Sequence, residues 1–135
     1  MGIEEQDQQW MAHALNLACR AEEEGEVPIG AVVVKDGVVI GEGWNRPIAL
    51  HDPTAHAEVQ AIRAAAIKQC NYRLPGSTLY VTLEPCTMCA GAILQARIER
   101  VVFATTDPRS GAVESQFQLL NHAEFNHRCR VDSGP

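Results

Sequence analysis

Two short stretches constrain this chain more than any others: His56-Ala57-Glu58 and, thirty residues after His56, Pro85-Cys86-Thr87-Met88-Cys89. Cysteines three apart fall on one face of a helical turn, so both sulfurs can reach one ion. A histidine from a distant segment adds a nitrogen. Three ligands of this kind suit zinc, which in structural sites takes four protein ligands and in catalytic sites keeps one position open for water. His56, Cys86 and Cys89 are therefore the candidate metal ligands. Glu58, two residues from His56, is the candidate catalytic residue: a proton shuttle beside that water instead of a fourth ligand. The competing readings are a structural zinc knuckle and a pair of cysteines packed as small hydrophobes.

A chain of 135 residues is expected to form one domain with a core that needs no disulfide staples. The longest apolar run, 29–34, is far short of a membrane span. The acidic start, Met1-Gly2-Ile3-Glu4-Glu5, lacks the basic and apolar regions of a signal peptide, so a cytoplasmic chain is expected. Five cysteines, an odd number, suit a reducing compartment, with Cys19, Cys70 and Cys129 as thiols outside the motif. The net charge of −6 speaks against a nucleic-acid partner, although Arg97, Arg100, Arg109, Arg128 and Arg130 concentrate positive charge late in the chain.

The pattern of apolar residues orders the elements. Trp10, Ala14, Leu17, Ala18 and Ala21 form one face of a helix over 7–21, with Asp7 as N-cap and Gly25 as its stop. Asp36-Gly37 between two β-branched runs predicts a hairpin of 30–35 with 38–44, its first strand buried on both faces. A loop is expected through Pro53, with Asp52 or Thr54 capping a helix that holds His56 in its first turn and ends near Cys70. Residues i and i+2 of a helix lie about 200° apart around its axis, so His56 and Glu58 can serve one ion only if it sits off the helix N-terminus. A third strand over 78–83 leads into a second helix that starts near Cys86 and runs to about Arg97. Two helix N-termini aimed at one site favour thiolate over thiol. A fourth strand over 100–104, a turn-rich loop over 105–111, a short helix over 116–120, a loop over 121–126 and a fifth strand over 128–131 complete the chain. Alternating later strands and helices predict parallel pairing there, with helices on both faces of one sheet.

Longer strings carry a resemblance. Trp44-Asn45-Arg46-Pro47, the run 51–58 (His-Asp-Pro-Thr-Ala-His-Ala-Glu), the run 79–92 around Leu83-Glu84-Pro85-Cys86, and Asn126-His127-Arg128 resemble bacterial tRNA-specific adenosine deaminases of the TadA type, within the cytidine/deoxycytidylate deaminase superfamily. The likeness spans about 10–131. It implies a three-layer α/β/α sandwich around a five-stranded mixed sheet, a Zn2+ cofactor and a homodimer. It implies hydrolytic deamination of the wobble adenosine in arginine tRNA with an ACG anticodon, giving inosine and ammonia. Zinc would lower the pKa of its water, and Glu58 would move protons from that water to the ring nitrogen and the leaving amine. Neither a membrane nor DNA is expected as a partner.

The same resemblance implies that Asn45 hydrogen-bonds the flipped nucleotide, that backbone groups at Ala57 and Glu84 read the base edge, and that Asp107 lies in a loop approaching the RNA. Taken as bare residues, Asn45 and Asp107 read equally as turn formers. Arg46, Arg109 and His122 are candidate phosphate or base contacts, His51 and His127 structural residues, and Trp44 a core residue. Family members continue past the fifth strand into a helix rich in lysine and arginine. This sequence ends at Pro135, so weaker tRNA binding than in a longer form is expected. The rival readings are a deaminase of free cytosine, guanine or a nucleoside, a zinc-stabilised RNA-binding module without catalysis, and an inactive partner subunit.

Overall fold

Asp36 and Gly37 both adopt positive φ, 52° and 74°, and join β1 (Gly30–Lys35) to β2 (Val38–Trp44) in a tight hairpin. Two positive φ angles in succession match the twist of the flanking strands, and Asp-Gly reaches them at little cost. The computed structural model describes residues 3–121 and 127–134. Within them, β3 (Ser77–Leu83) pairs antiparallel with β1, β4 (Arg100–Thr105) pairs parallel with β3, and β5 (Arg130–Ser133) parallel with β4. The strand order is β2-β1-β3-β4-β5, a five-stranded mixed sheet. The parallel pairing predicted for the later strands is present, with α4 (Thr87–Ala96) as the crossover between β3 and β4.

Alternation along the strands feeds two cores. On one face, Met11, Ala14 and Leu17 of α1 (Glu5–Glu23) pack on Val32, Val34, Tyr80 and Val102. On the other, Ala57, Ala61 and Ala65 of α3 (Ala57–Gln69), with Ala90, Ile93 and Ala96 of α4, cover Val33, Leu79, Val81, Val101 and Phe103. The result is the expected three-layer α/β/α sandwich. No described helix is long and apolar enough to cross a membrane.

The side of β2 facing α3 is built for close approach. A Cβ on Gly41 would lie 2.3 Å from the Ala61 carbonyl oxygen, and one on Gly43 would lie 2.2 Å from that of Ala57. The helix backbone therefore rests directly on the strand. That contact sets where the N-terminus of α3 points.

Several local expectations differ from the structure. The first helix begins at Glu5, two residues before the predicted start, and Asp7 is in its first turn. Its carboxylate accepts the Glu4 N–H (2.8 Å) but is otherwise engaged across the fold by Tyr80 and Arg100. The expected loop after Asn45 contains a one-turn helix, α2 (Pro47–Leu50). Proline suits the first position, and the Glu26 carboxylate accepts the N–H groups of Ile48 (3.2 Å) and Ala49 (2.8 Å). Asp52 caps no helix; it accepts the Thr54 N–H and hydroxyl in its own turn. The predicted helix over 116–120 is a 3₁₀ turn at Leu119–Asn121, and the fifth strand lies two residues later than expected. His122 and Asn126 fall outside the described residues.

Candidate active site

His56 and Cys86 occupy equivalent places: each is the extended residue that precedes a helix, α3 and α4 respectively (ψ 154° and 179°). Glu58 is then the second residue of α3, and Cys89 the third of α4. The predicted convergence of two helix N-termini is present. His56 Nδ1 lies 3.6 Å from the Cys86 sulfur and 3.5 Å from that of Cys89. A tetrahedral zinc, with its usual bonds to nitrogen and sulfur, would hold those atoms about 3.6 Å apart. The donor set and its spacing thus fit such an ion. Among the described residues this is a three-donor group. Cys89 is fully buried, whereas His56 and Cys86 are partly open. Cys19 and Cys70 are exposed thiols and Cys129 a buried one, and none of them joins the group.

The electrostatics follow from burial and from the helix starts. The Cys89 thiol donates to Cys86, and with help from backbone N–H groups and His56 this holds Cys86 down at about 5. The same shared proton, burial and the Glu58 carboxylate push Cys89 up. A cation bound between them displaces that proton. Glu58 is 4% exposed, and its burial raises it to about 7, with the Cys86 charge adding to the rise. A carboxylate poised there can both take and return a proton near neutral pH.

These groups open on a cavity of about 120 Å³ lined by Ile29, His56, Glu58, Leu83, Glu84, Cys86 and, from a loop after β4, Asp107 and Ser110.

The expected substrate contacts have definite places. Asn45 is buried at the end of β2, and its Oδ1 accepts the N–H of Ala57 at 2.8 Å. It is thus the N-terminal cap of α3 supplied from another element, and the Ala57 N–H is already engaged. Asp107 lines the cavity and also forms its own turn, Oδ1 accepting the Arg109 N–H at 3.2 Å and the Ser110 N–H at 3.4 Å. Arg46 lies 3.3 Å from Glu24 and over the Trp44 ring, whose other contacts include Arg20. Trp44 also packs against the α1 core. His51 ends α2 in a left-handed backbone conformation, and His127 Nε2 donates to the Ile98 carbonyl at 2.8 Å. Arg109 is exposed.

What the sequence reading missed is the side chain of Glu84. It is 2% exposed and accepts N–H groups of Asp107 (3.0 Å), Val113 (3.1 Å), Glu114 (2.7 Å) and Ser115 (2.8 Å), with the Ser115 hydroxyl added. Burial opposes its charge, but these donors hold it down at about 2. No local pattern announces partners twenty-three to thirty-one residues away.

Comparison with known proteins agrees with this geometry. Residues 4–105 match the family described as the cytidine and deoxycytidylate deaminase zinc-binding region. The tRNA-specific adenosine deaminase of Haemophilus influenzae is 54% identical over 129 residues, 95% of this chain and 75% of that one. A solved structure from studies of A-to-I editing by tRNA:A34 deaminases at the wobble position of transfer RNA superposes with a TM-score of 0.92 at 49% identity, over 96% of this chain and 99% of that one. A guanine deaminase from Bacillus subtilis superposes with a TM-score of 0.72 at 43% identity, over 77% and 66% of the two chains. A group of three metal-type donors is consistent with a family described as zinc-binding. The chain belongs to the cytidine and deoxycytidylate deaminase zinc-binding family, among its bacterial tRNA-specific adenosine deaminases.

Proposed function

We propose that this chain hydrolyses adenosine to inosine at the wobble position of a transfer RNA, that its substrate is arginine tRNA with an ACG anticodon, and that His56, Cys86 and Cys89 hold zinc. One observation carries the reading: a buried glutamate stands beside a three-donor group that faces a cavity. A purely structural zinc site has no use for either the open side or the glutamate. The names of the relatives supply the substrate class.

A zinc ion held there supplies Lewis acidity that brings the pKa of water to about 7. The chain's own groups do the rest. Glu58 takes one proton from the water as its oxygen bonds to C6 of adenine, and delivers that proton to the ring nitrogen N1. It then carries the second proton from the new C6 hydroxyl to the amino group. The C6–N bond breaks, ammonia leaves, and C6 becomes the carbonyl of inosine. Burial of Glu58 keeps bulk water from competing for these protons. Asn45 holds the start of α3, and with it His56 and Glu58, and orients the extruded nucleotide. The Ala57 N–H is held by Asn45, which leaves the backbone at Glu84 to read the base edge, and Asp107 meets the RNA at the cavity rim. Unpaired anticodon-loop bases lower the cost of extrusion. The chain acts in the cytoplasm as a homodimer of a single domain.

The test is to incubate the chain with an anticodon stem-loop carrying ACG and to measure inosine by nucleoside mass spectrometry. Inosine at the wobble position, lost after zinc removal and in Glu58→Gln, is the expected result. A metal-loaded chain that yields none overturns the reading. The likeness to a guanine deaminase favours one alternative, deamination of a free purine base, which would appear as ammonia and xanthine from guanine.

A further inference from the structure

The loop over 107–115 forms part of the cavity wall through Asp107 and Ser110, yet contains no helix or strand to hold it. Its backbone bonds converge on one place. Asp107, Val113, Glu114 and Ser115 direct their N–H groups at the Glu84 carboxylate, while Ala112 donates to the Pro85 carbonyl at 2.8 Å. Glu84 and Pro85 immediately precede Cys86. Gly111 closes over the carboxylate so tightly that a Cβ there would lie 2.3 Å from the Glu84 carboxyl carbon. A single buried anion therefore ties the wall of the cavity to the turn that carries a metal-ligand candidate. Hydrogen bonds from N–H groups to a charged acceptor are the strong ones, and four or more to one carboxylate leave the loop a single position.

We propose that Glu84 is a positioning residue: its side chain anchors the loop over 107–115 as the outer wall of the cavity and so sets the affinity for a nucleotide presented within an RNA loop. This rests on the function proposed above. The reacting base touches the floor, made by His56, Glu58 and Cys86, whereas the flanking chain of a polymer must pass the rim, where Asp107 and Ser110 stand. Loosening the rim should weaken capture of the polymer while leaving the proton transfers on the floor intact.

Three variants grade the perturbation. Ser115→Ala removes the hydroxyl donor alone, Gly111→Ala forces a methyl against the carboxylate, and Glu84→Gln turns half of the acceptor into a donor facing N–H groups. Hydrogen exchange at the amides of Val113, Glu114 and Ser115, with metal content and Tm as controls, reads the anchor without reference to activity. We expect exchange faster by about tenfold or more in Gly111→Ala and Glu84→Gln, and less in Ser115→Ala. The KM and the Kd for the ACG stem-loop should rise about five- to tenfold in Gly111→Ala while kcat changes less than about threefold. Unchanged exchange in both stronger variants overturns the anchor. Faster exchange with unchanged Kd overturns its role in substrate affinity. A wild-type chain that holds metal and binds the stem-loop but makes no inosine overturns the functional reading instead, and the exchange and Kd measurements still decide this one.

Discussion

Asp7 in the first turn of α1 and Arg100 at the start of β4 meet through two parallel hydrogen bonds, both of 2.9 Å, ninety-three residues apart in the chain. Both are nearly buried, at 3% and 7% exposure. The Tyr80 hydroxyl donates to the same carboxylate at 2.6 Å, and Arg100 Nε donates to Asp132 of β5 at 2.7 Å. One bidentate pair thus joins α1, β3, β4 and β5, on the α1 side of the sheet.

Because Arg100, with burial opposing it, holds the Asp7 carboxyl down at about 2, this pair carries a pH signature. A carboxylate depressed in the folded state stabilises above its unfolded pKa, and that contribution is lost as pH falls through the folded value. The wild type should therefore lose roughly 2 kcal/mol from this group between about pH 4 and pH 2. Asp7→Asn should cost about 3–5 kcal/mol at pH 7, since it leaves a buried guanidinium short of a charge partner, and should flatten that part of the acid limb. Urea unfolding at several pH values measures both.

Glu58→Gln keeps the shape and burial of the side chain but cannot accept a proton. Zinc content should stay at the wild-type value while kcat for inosine formation falls by about 10²–10⁴. Metal analysis beside single-turnover kinetics separates the two effects. A zinc-loaded variant with full turnover would remove Glu58 from the chemistry.

Removing zinc by chelation should abolish turnover and lower Tm, because a ligand that binds only the folded chain stabilises it by mass action. Adding zinc back should restore both. His56→Ala and Cys89→Ser, each leaving two donors of the three, should fail to regain metal or activity under the same conditions.

Gly43→Ala tests whether close packing of β2 on α3 sets the active site. Its methyl would meet the Ala57 carbonyl at 2.2 Å and the Ala61 nitrogen at 2.5 Å. Overpacking of this kind costs about 1–3 kcal/mol, and the displaced helix start carries His56 and Glu58. Both Tm and turnover should drop. Gly91→Ala on α4, with nothing within 4 Å of its new methyl, should leave stability equal or improve it by up to about 1 kcal/mol.

The hairpin was legible residue by residue, since Asp36-Gly37 and the β-branched runs on either side are local signals. So were the three donors and Glu58, because cysteine spacing and a nearby His-x-Glu carry their chemistry in the residue types themselves. The helix starts were less legible. His56 and Cys86 stand where a serine, threonine or aspartate is looked for, and the usual capping rules point to Asp52 or Thr54 instead.

The sequence by itself determined the five strands, the three long helices and the three donors that the structure gathers beside Glu58, all of which rest on short-range pattern. Only the tertiary structure decided what supports them: Asn45 capping α3, Glu26 capping α2, Asp7 bound by Arg100, and Glu84 gathering a loop from beyond β4. Each is a buried polar group whose desolvation is offset by donors distant in the chain. Such pairings are settled by the packing of layers, and short-range pattern does not encode them.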